Sequence, residues 1–258
     1  MIEVGLAGQA VLGPGLADWT AARDVLQGAA PYVSSPAPEP APGLLPPTER
    51  RRASASVRWA LAAAQQALAG HDAEAVATVF VSCGGDGTIT HQICEALASA
   101  PGAVSPTRFH NSVHNAPAGY WSIATRSHGT STSLSGFEGS FAIGLLEAAT
   151  QATIERCRVL LVAYDLPYPE PMHALWPVAH PFAAALLLDL PGAGPSAFRL
   201  DLKPGAARTA WPAAVPAAFQ SNPAAWALPL LAARQRGAPA HLELPYNGAS
   251  HLAVEVQQ

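Results

Sequence analysis

Hydrophobic positions recur along the chain with two periods, one of two residues and one near 3.6, and the two alternate. Ile2 to Ala7 predicts a short strand and Leu16 to Gln27 a helix. Ser56 to Ala69 predicts a helix with Val57, Leu61, Ala64 and Leu68 on one face. Ala77 to Val81 carries no charge and predicts a buried strand, and Thr88 to Ser99 predicts the helix that follows it. Ala116 to Ala124 predicts a helix, Thr130 to Gly136 a strand of small uncharged residues, and Ser140 to Thr150 a further helix. The run Val159 to Ala163 inside Arg158–Tyr164 predicts a strand buried on both faces. Ala183 to Leu190 and Phe198 to Leu202 predict two strands, joined as a hairpin across Pro191–Ser196. A helix near Ala224–Arg236 and strands near His241–Pro245 and His251–Val256 complete the pattern. Strands alternating with helices indicate a layered α/β domain.

Two stretches break the periodicity. Residues 28–49 hold seven prolines (Pro31, Pro36, Pro38, Pro40, Pro42, Pro46 and Pro47) and predict an extended loop, because proline removes a backbone donor and fixes φ. The run Arg50-Arg51-Arg52 that ends it predicts a solvated helix start. Ser105-Pro106 opens a second, polar and aromatic loop.

Charged residues make up 12% of the 258 and hydrophobic residues 50%, which excludes a disordered chain. A net charge of −4 excludes a broad electrostatic nucleic-acid binder. So thin a polar shell points to a covered surface and hence a permanent partner. The longest apolar run, Phe182 to Leu188, is too short to span a bilayer, and Met1-Ile2-Glu3-Val4 shows no basic region of a signal peptide; a cytoplasmic protein is expected. Cys83, Cys94 and Cys157 are odd in number, widely spaced and set in or beside apolar runs, which predicts buried hydrophobes rather than disulfide or zinc chemistry.

Four groups of residues carry candidate chemistry. Gly84-Gly85-Asp86-Gly87-Thr88 lies between a predicted strand and a helix, where glycines let backbone N–H groups approach a phosphate. It resembles the turn of NAD kinases and diacylglycerol-type lipid kinases, which implies a phosphotransferase as the alternative function. The plainer reading is a capped strand-to-helix turn. His110 and His114 have the four-residue spacing of helical metal ligands but no third ligand nearby, so no metal is expected. Ser131, Ser133 and Ser135 form no nucleophile elbow, and an alternating Ser/Thr strand accounts for them. His128-Gly129-Thr130 looks like a ketosynthase active-site string but stands at the wrong place in the chain for one.

Taken together, residues 77–165 resemble the N-terminal half of a β-ketoacyl synthase. The string Ser105 to Gly119 (SPTRFHNSVHNAPAG) resembles the proline-led loop that enters an N-x-x-A-G helix. Gly129–Gly136, Ser140–Ala149 and Val159–Ala163 match the strand carrying the nucleophile, its helix and the next core strand. The resemblance covers roughly residues 1–203 and is nearest to short chain-length-factor proteins of aryl-polyene or polyketide-like pathways. It implies a truncated thiolase-like fold, a layered α/β/α with a mixed sheet, and a short C-terminal extension over 204–258 packed on the same domain. It also implies a dimer contact built from Phe109, His110, Asn111, Val113, His114, Asn115 and Tyr120 with Thr130, Ser131, Thr132, Ser133, Leu134 and Ser135.

The departures from that family carry the functional expectation. The nucleophilic cysteine position falls at Glu138, and none of the three cysteines is close to it. His241 and His251, the only histidines after Leu202, stand in no matching context. The second half that supplies catalytic histidines in full ketosynthases is missing. The expected protein is therefore a non-catalytic subunit without a cofactor. Its partner is an active β-ketoacyl-acyl carrier protein synthase, or a second copy of itself, in polyene, polyketide-like or fatty-acid-like chain extension. It meets the acyl carrier protein through that partner.

Overall fold

The structure, a computed structural model, describes residues 1–257 apart from 38, 100, 101, 103 and 191–196. Eight strands form one mixed sheet: β1 (Ile2–Leu12), β2 (Ala77–Val81), β3 (Ser131–Leu134), β4 (Val159–Asp165), β5 (Phe182–Asp189), β6 (Phe198–Pro204), β7 (Ala240–Asn247) and β8 (Ser250–Val256). Their order is β3-β2-β4-β5-β1-β6-β8-β7. β2 pairs parallel with β3 and β4, and the remaining pairings are antiparallel. The helices are α1 (Trp19–Leu26), α2 (Pro47–Arg52), α3 (Ala55–Ala67), α4 (Gly87–Ser99), α5 (Pro106–Asn111), α6 (Ala116–Thr125), α7 (Ser140–Ile154), α8 (Met172–Leu175) and α9 (Ala227–Gln235).

All seven residues of β4 are buried, and they alternate between two cores. Val159, Leu161 and Ala163 face the layer of α1, α7 and α9, while Leu160, Val162 and Tyr164 face α3 and α6. That alternation is why β4 reads as an unbroken apolar run: a strand covered on both faces has no polar side to show. Close approach of the layers requires small residues. A Cβ on Gly144 of α7 would lie 2.8 Å from Val81 and 2.9 Å from Leu161, so the helix sits directly on β2 and β4.

The structure corrects three expectations. β5 and β6 do not form a hairpin: β1 is inserted between them, running antiparallel to both, and the proposed turn 191–196 lies outside the described residues. A strand contributed from the far N-terminus leaves no mark in the local pattern of the two it separates. The loop after Ser105 is helical over α5, because Pro106 occupies a first-turn position where its missing N–H costs nothing. The arginine run forms the last turn of α2 rather than a helix start, where positive charge complements the helix dipole.

Candidate functional site

β3 is an edge strand, and among the described residues no strand pairs with its outer side. Its register against β2 is Thr78 with Ser131 through Val81 with Leu134. Thr78 donates to Ser131 Oγ at 2.9 Å, and Gln151 of α7 donates to Thr132 Oγ1 at 2.8 Å, so the small side chains are tied inward. Thr130, Ser131 and Ser135 are exposed, and Thr132, Ser133 and Leu134 are half-buried.

The loop residues predicted to flank this edge divide into two sets. Phe109, His110, Val113 and Asn115 are exposed, whereas Asn111 and Tyr120 are buried and His114 is half-buried. The His110 ring packs edge-on against Tyr120, with centroids 5.8 Å apart. Asn111 donates to the Arg52 carbonyl at 2.7 Å, which anchors α5 to α2. His110 and His114 therefore diverge, one outward and one inward.

Chain direction reverses sharply between β3 and α7. Phe137 adopts a left-handed φ of 50°, a strained conformation for a non-glycine residue. The turn is held by Gly136 N–H donating to Ser140 Oγ at 3.1 Å, while that hydroxyl donates to the Phe137 carbonyl at 2.7 Å. Gly139 is buried beside β7, where a Cβ would fall 1.9 Å from the Tyr246 carbonyl oxygen. The C-terminal hairpin thus buttresses the turn.

Two neighbouring pockets, about 260 and 570 Å³, share Glu138, Trp176 and Pro245. The Phe137 and Trp176 rings lie 6.1 Å apart and the Trp176 and Tyr168 rings 6.2 Å, so an aromatic strip runs inward from the exposed turn. Sequence reasoning missed Phe137 and this strip. The only local signal was the Gly136–Gly139 spacing around Phe137-Glu138.

It also placed all three cysteines away from Glu138. The fold instead brings Cys83 into the smaller pocket with Glu138, because β2 and β3 are neighbours. Cys94 is exposed, against the expectation of three buried thiols, and Cys157 is half-buried. Burial pushes the Cys83 thiol up to about 11, aided by the negative charges of Asp165 and Glu138. Only about one thiol in ten thousand is then ionised at neutral pH, and thioester exchange needs the thiolate.

Asp165, at the end of β4, accepts from Ser82 Oγ at 2.9 Å and from the Cys83 amide at 2.7 Å. Burial raises its carboxyl to about 7, partly offset by those two bonds. It ties the end of β2 to β4 and so fixes where the glycine turn begins.

The glycine turn is filled from within. A Cβ on Gly87 would lie 2.1 Å from the Tyr168 ring, and one on Gly84 would lie 2.8 Å from its hydroxyl. Gly85 takes a φ of 68°, Asp86 Oδ1 accepts from the Ile89 amide at 2.9 Å, and the exposed Thr88 is the second residue of the helix. The glycines make room for a tyrosine and Asp86 caps α4, so these residues are a packed turn and the phosphotransferase reading falls.

A mixed sheet between helical layers, with a strained strand-to-helix turn after its edge strand, defines a thiolase-like protein. Residues 23–240 match the family described as Beta-ketoacyl synthase, N-terminal domain, and the chain belongs to that family. Among solved structures, it is similar to a chain of the complex of a ketosynthase (ApeO) with its chain length factor (ApeC) from Xenorhabdus doucetiae. That match has 25% identity and a TM-score of 0.75, covering 99% of this chain and 100% of that one. The ishigamide ketosynthase/chain length factor shares the fold at 16% identity and TM-score 0.72, with 99% of both chains covered. A chain of the type II acyl-carrier protein–ketosynthase complex AntDE:AntF does so at 16% and 0.61, covering 79% of this chain and 70% of that one. A comparison with curated protein sequences gives no match. No helix is long and apolar enough to cross a membrane among the described residues.

Proposed function

We propose that the chain is a non-catalytic, chain-length-factor-type subunit that pairs with an active β-ketoacyl-acyl carrier protein synthase and shapes the path of its growing acyl chain. The observation that carries this reading is the edge strand β3, uncharged and open, leading directly into a turn whose residues offer no thiol. Phe137 presents an aromatic ring there and Glu138 a carboxylate, and neither can take up an acyl group by thioester exchange.

Exposed apolar side chains support a docking face. α6 packs on β2 and β3, and its Ile123 is 58% exposed; Phe109 of α5 and Val113 of the α5–α6 connection are 66% and 47% exposed. Along α4, packed on α5, only Gly87 is buried, leaving Leu97 open to solvent. An open edge strand with apolar flanks is an aggregation risk unless a partner covers it. The similarity to a ketosynthase–chain length factor complex over the full length of both chains supports a ketosynthase as that partner. In this arrangement Phe109, Val113, Asn115 and Ser131 to Leu134 meet the partner, with Asn111 and Tyr120 supporting them from behind. The product is a polyene or polyketide-like chain carried on acyl carrier protein.

The test is condensation of acyl- and malonyl-loaded carrier protein. The chain alone forms no product, and adding the ketosynthase restores elongation with a product length that Phe137→Ala changes. Sustained turnover by the chain alone, abolished by Glu138→Ala, contradicts the proposal.

A further inference from the structure

A small cavity of about 10 Å³, partly open to solvent beside the exposed Val113, lies where the glycine turn, the α5–α6 connection and β4 converge. Its lining includes Asp86, Asn111, His114 and Tyr164. Asn111 is 3% exposed and Tyr164 1%. Asp86 Oδ2, Asn111 Oδ1, both ring nitrogens of His114 and the Tyr164 hydroxyl are all buried, and none has a hydrogen-bond partner among the described residues. Leaving one such group unsatisfied is costly, and four around one cavity require a common explanation.

We propose that the cavity is a hydration site for a single water molecule that donates to Asp86 Oδ2 and Asn111 Oδ1 and accepts from the Tyr164 hydroxyl and one His114 N–H. The size fits, since about one probe sphere of space holds one water. So does the chemistry. Two lining groups are acceptors, a carboxylate and an amide oxygen, and two can donate, which is the complement of a water molecule's two hydrogens and two lone pairs. Burial lowers the pKa of His114 and keeps its ring neutral, with one N–H to give.

The water joins three segments distant in sequence. It holds the inner side of Asn111–His114 against β4 while Phe109 and Val113 point outward. This consequence for docking rests on the proposed function; the hydration site itself does not.

The experiment is a high-resolution crystal structure of the chain, with hydrogen exchange on the same protein and on Tyr164→Phe, which keeps the ring and removes the donor. The proposal expects one oxygen peak at ordinary hydrogen-bond distance from all four groups. It also expects amide exchange over residues 111–116 about fivefold faster in Tyr164→Phe, the loss of roughly one hydrogen bond. A peak at the shorter distances of a metal ion, direct bonds between the lining side chains, or an empty cavity with unchanged exchange overturns it. Both readouts use the isolated chain, so failure to bind a ketosynthase leaves this inference standing, and a missing water leaves the pairing standing.

Discussion

Replacing Asp165 by Asn tests the electrostatics of the site most sharply. The carboxylate is 1% exposed, and Oδ1 accepts both of its hydrogen bonds while Oδ2 has no partner among the described residues. Burial lifts its pKa from 3.8 to about 7. Between those values the folded protein holds one proton that the unfolded chain has released, so stability falls as pH rises through the window. Each unit is worth about 1.4 kcal/mol, giving a total near 4 kcal/mol from about pH 4 to about pH 7 and no further change above or below. Asn keeps the Oδ1 acceptor and does not titrate. Urea unfolding of both proteins across that range yields a difference in which all other groups cancel. The expected wild-type advantage shrinks steadily up to about pH 7 and then stays level. A constant difference, or an advantage that grows with pH, refutes the assignment of a buried carboxylate with a raised pKa.

Further outcomes follow from the same geometry. Gly87→Ala forces Tyr168 aside and costs about 1–3 kcal/mol in denaturant unfolding, whereas millimolar ATP with magnesium leaves the wild-type melting temperature unchanged; an unperturbed variant, or a shift of several degrees with nucleotide, goes against the packed turn. In the folded protein iodoacetamide labels the exposed Cys94 first and leaves Cys83 unmodified, as peptide mapping by mass spectrometry reads; rapid labelling of Cys83 contradicts its raised pKa.

Much of the layered core is legible because burial leaves a periodic trace. β2 is expected and found over Ala77–Val81, and α3, α7 and β4 fall within a few residues of their expected bounds, since each presents a continuous apolar face or run. What depends on distant segments is not legible. β1 separates β5 from β6 across nearly two hundred residues, and no local pattern in either strand reports it. The glycine turn keeps a phosphate loop open as the alternative reading until Tyr168, about eighty residues on, is seen to fill it. Cys83 and Glu138 share a pocket only through the pairing of β2 with β3. The open edge was partly visible in its lack of charge, whereas the left-handed Phe137 beside it was not, because backbone strain has no sequence period.

The central claim is that the β3 edge docks a ketosynthase. Size exclusion with light scattering tests it, using this chain mixed with a full-length ketosynthase that has an intact nucleophilic cysteine and comes from the same gene neighbourhood. The account predicts a one-to-one heterodimer for the wild type. Ser133→Arg places an unpaired charge in the middle of the contact, which costs several kcal/mol in desolvation and weakens association by about a hundredfold or more. Arg51→Ala, on the exposed end of α2, leaves the heterodimer intact. A wild-type chain that stays monomeric at high concentration in the presence of that ketosynthase, or a heterodimer that forms equally well with Ser133→Arg, contradicts the claim.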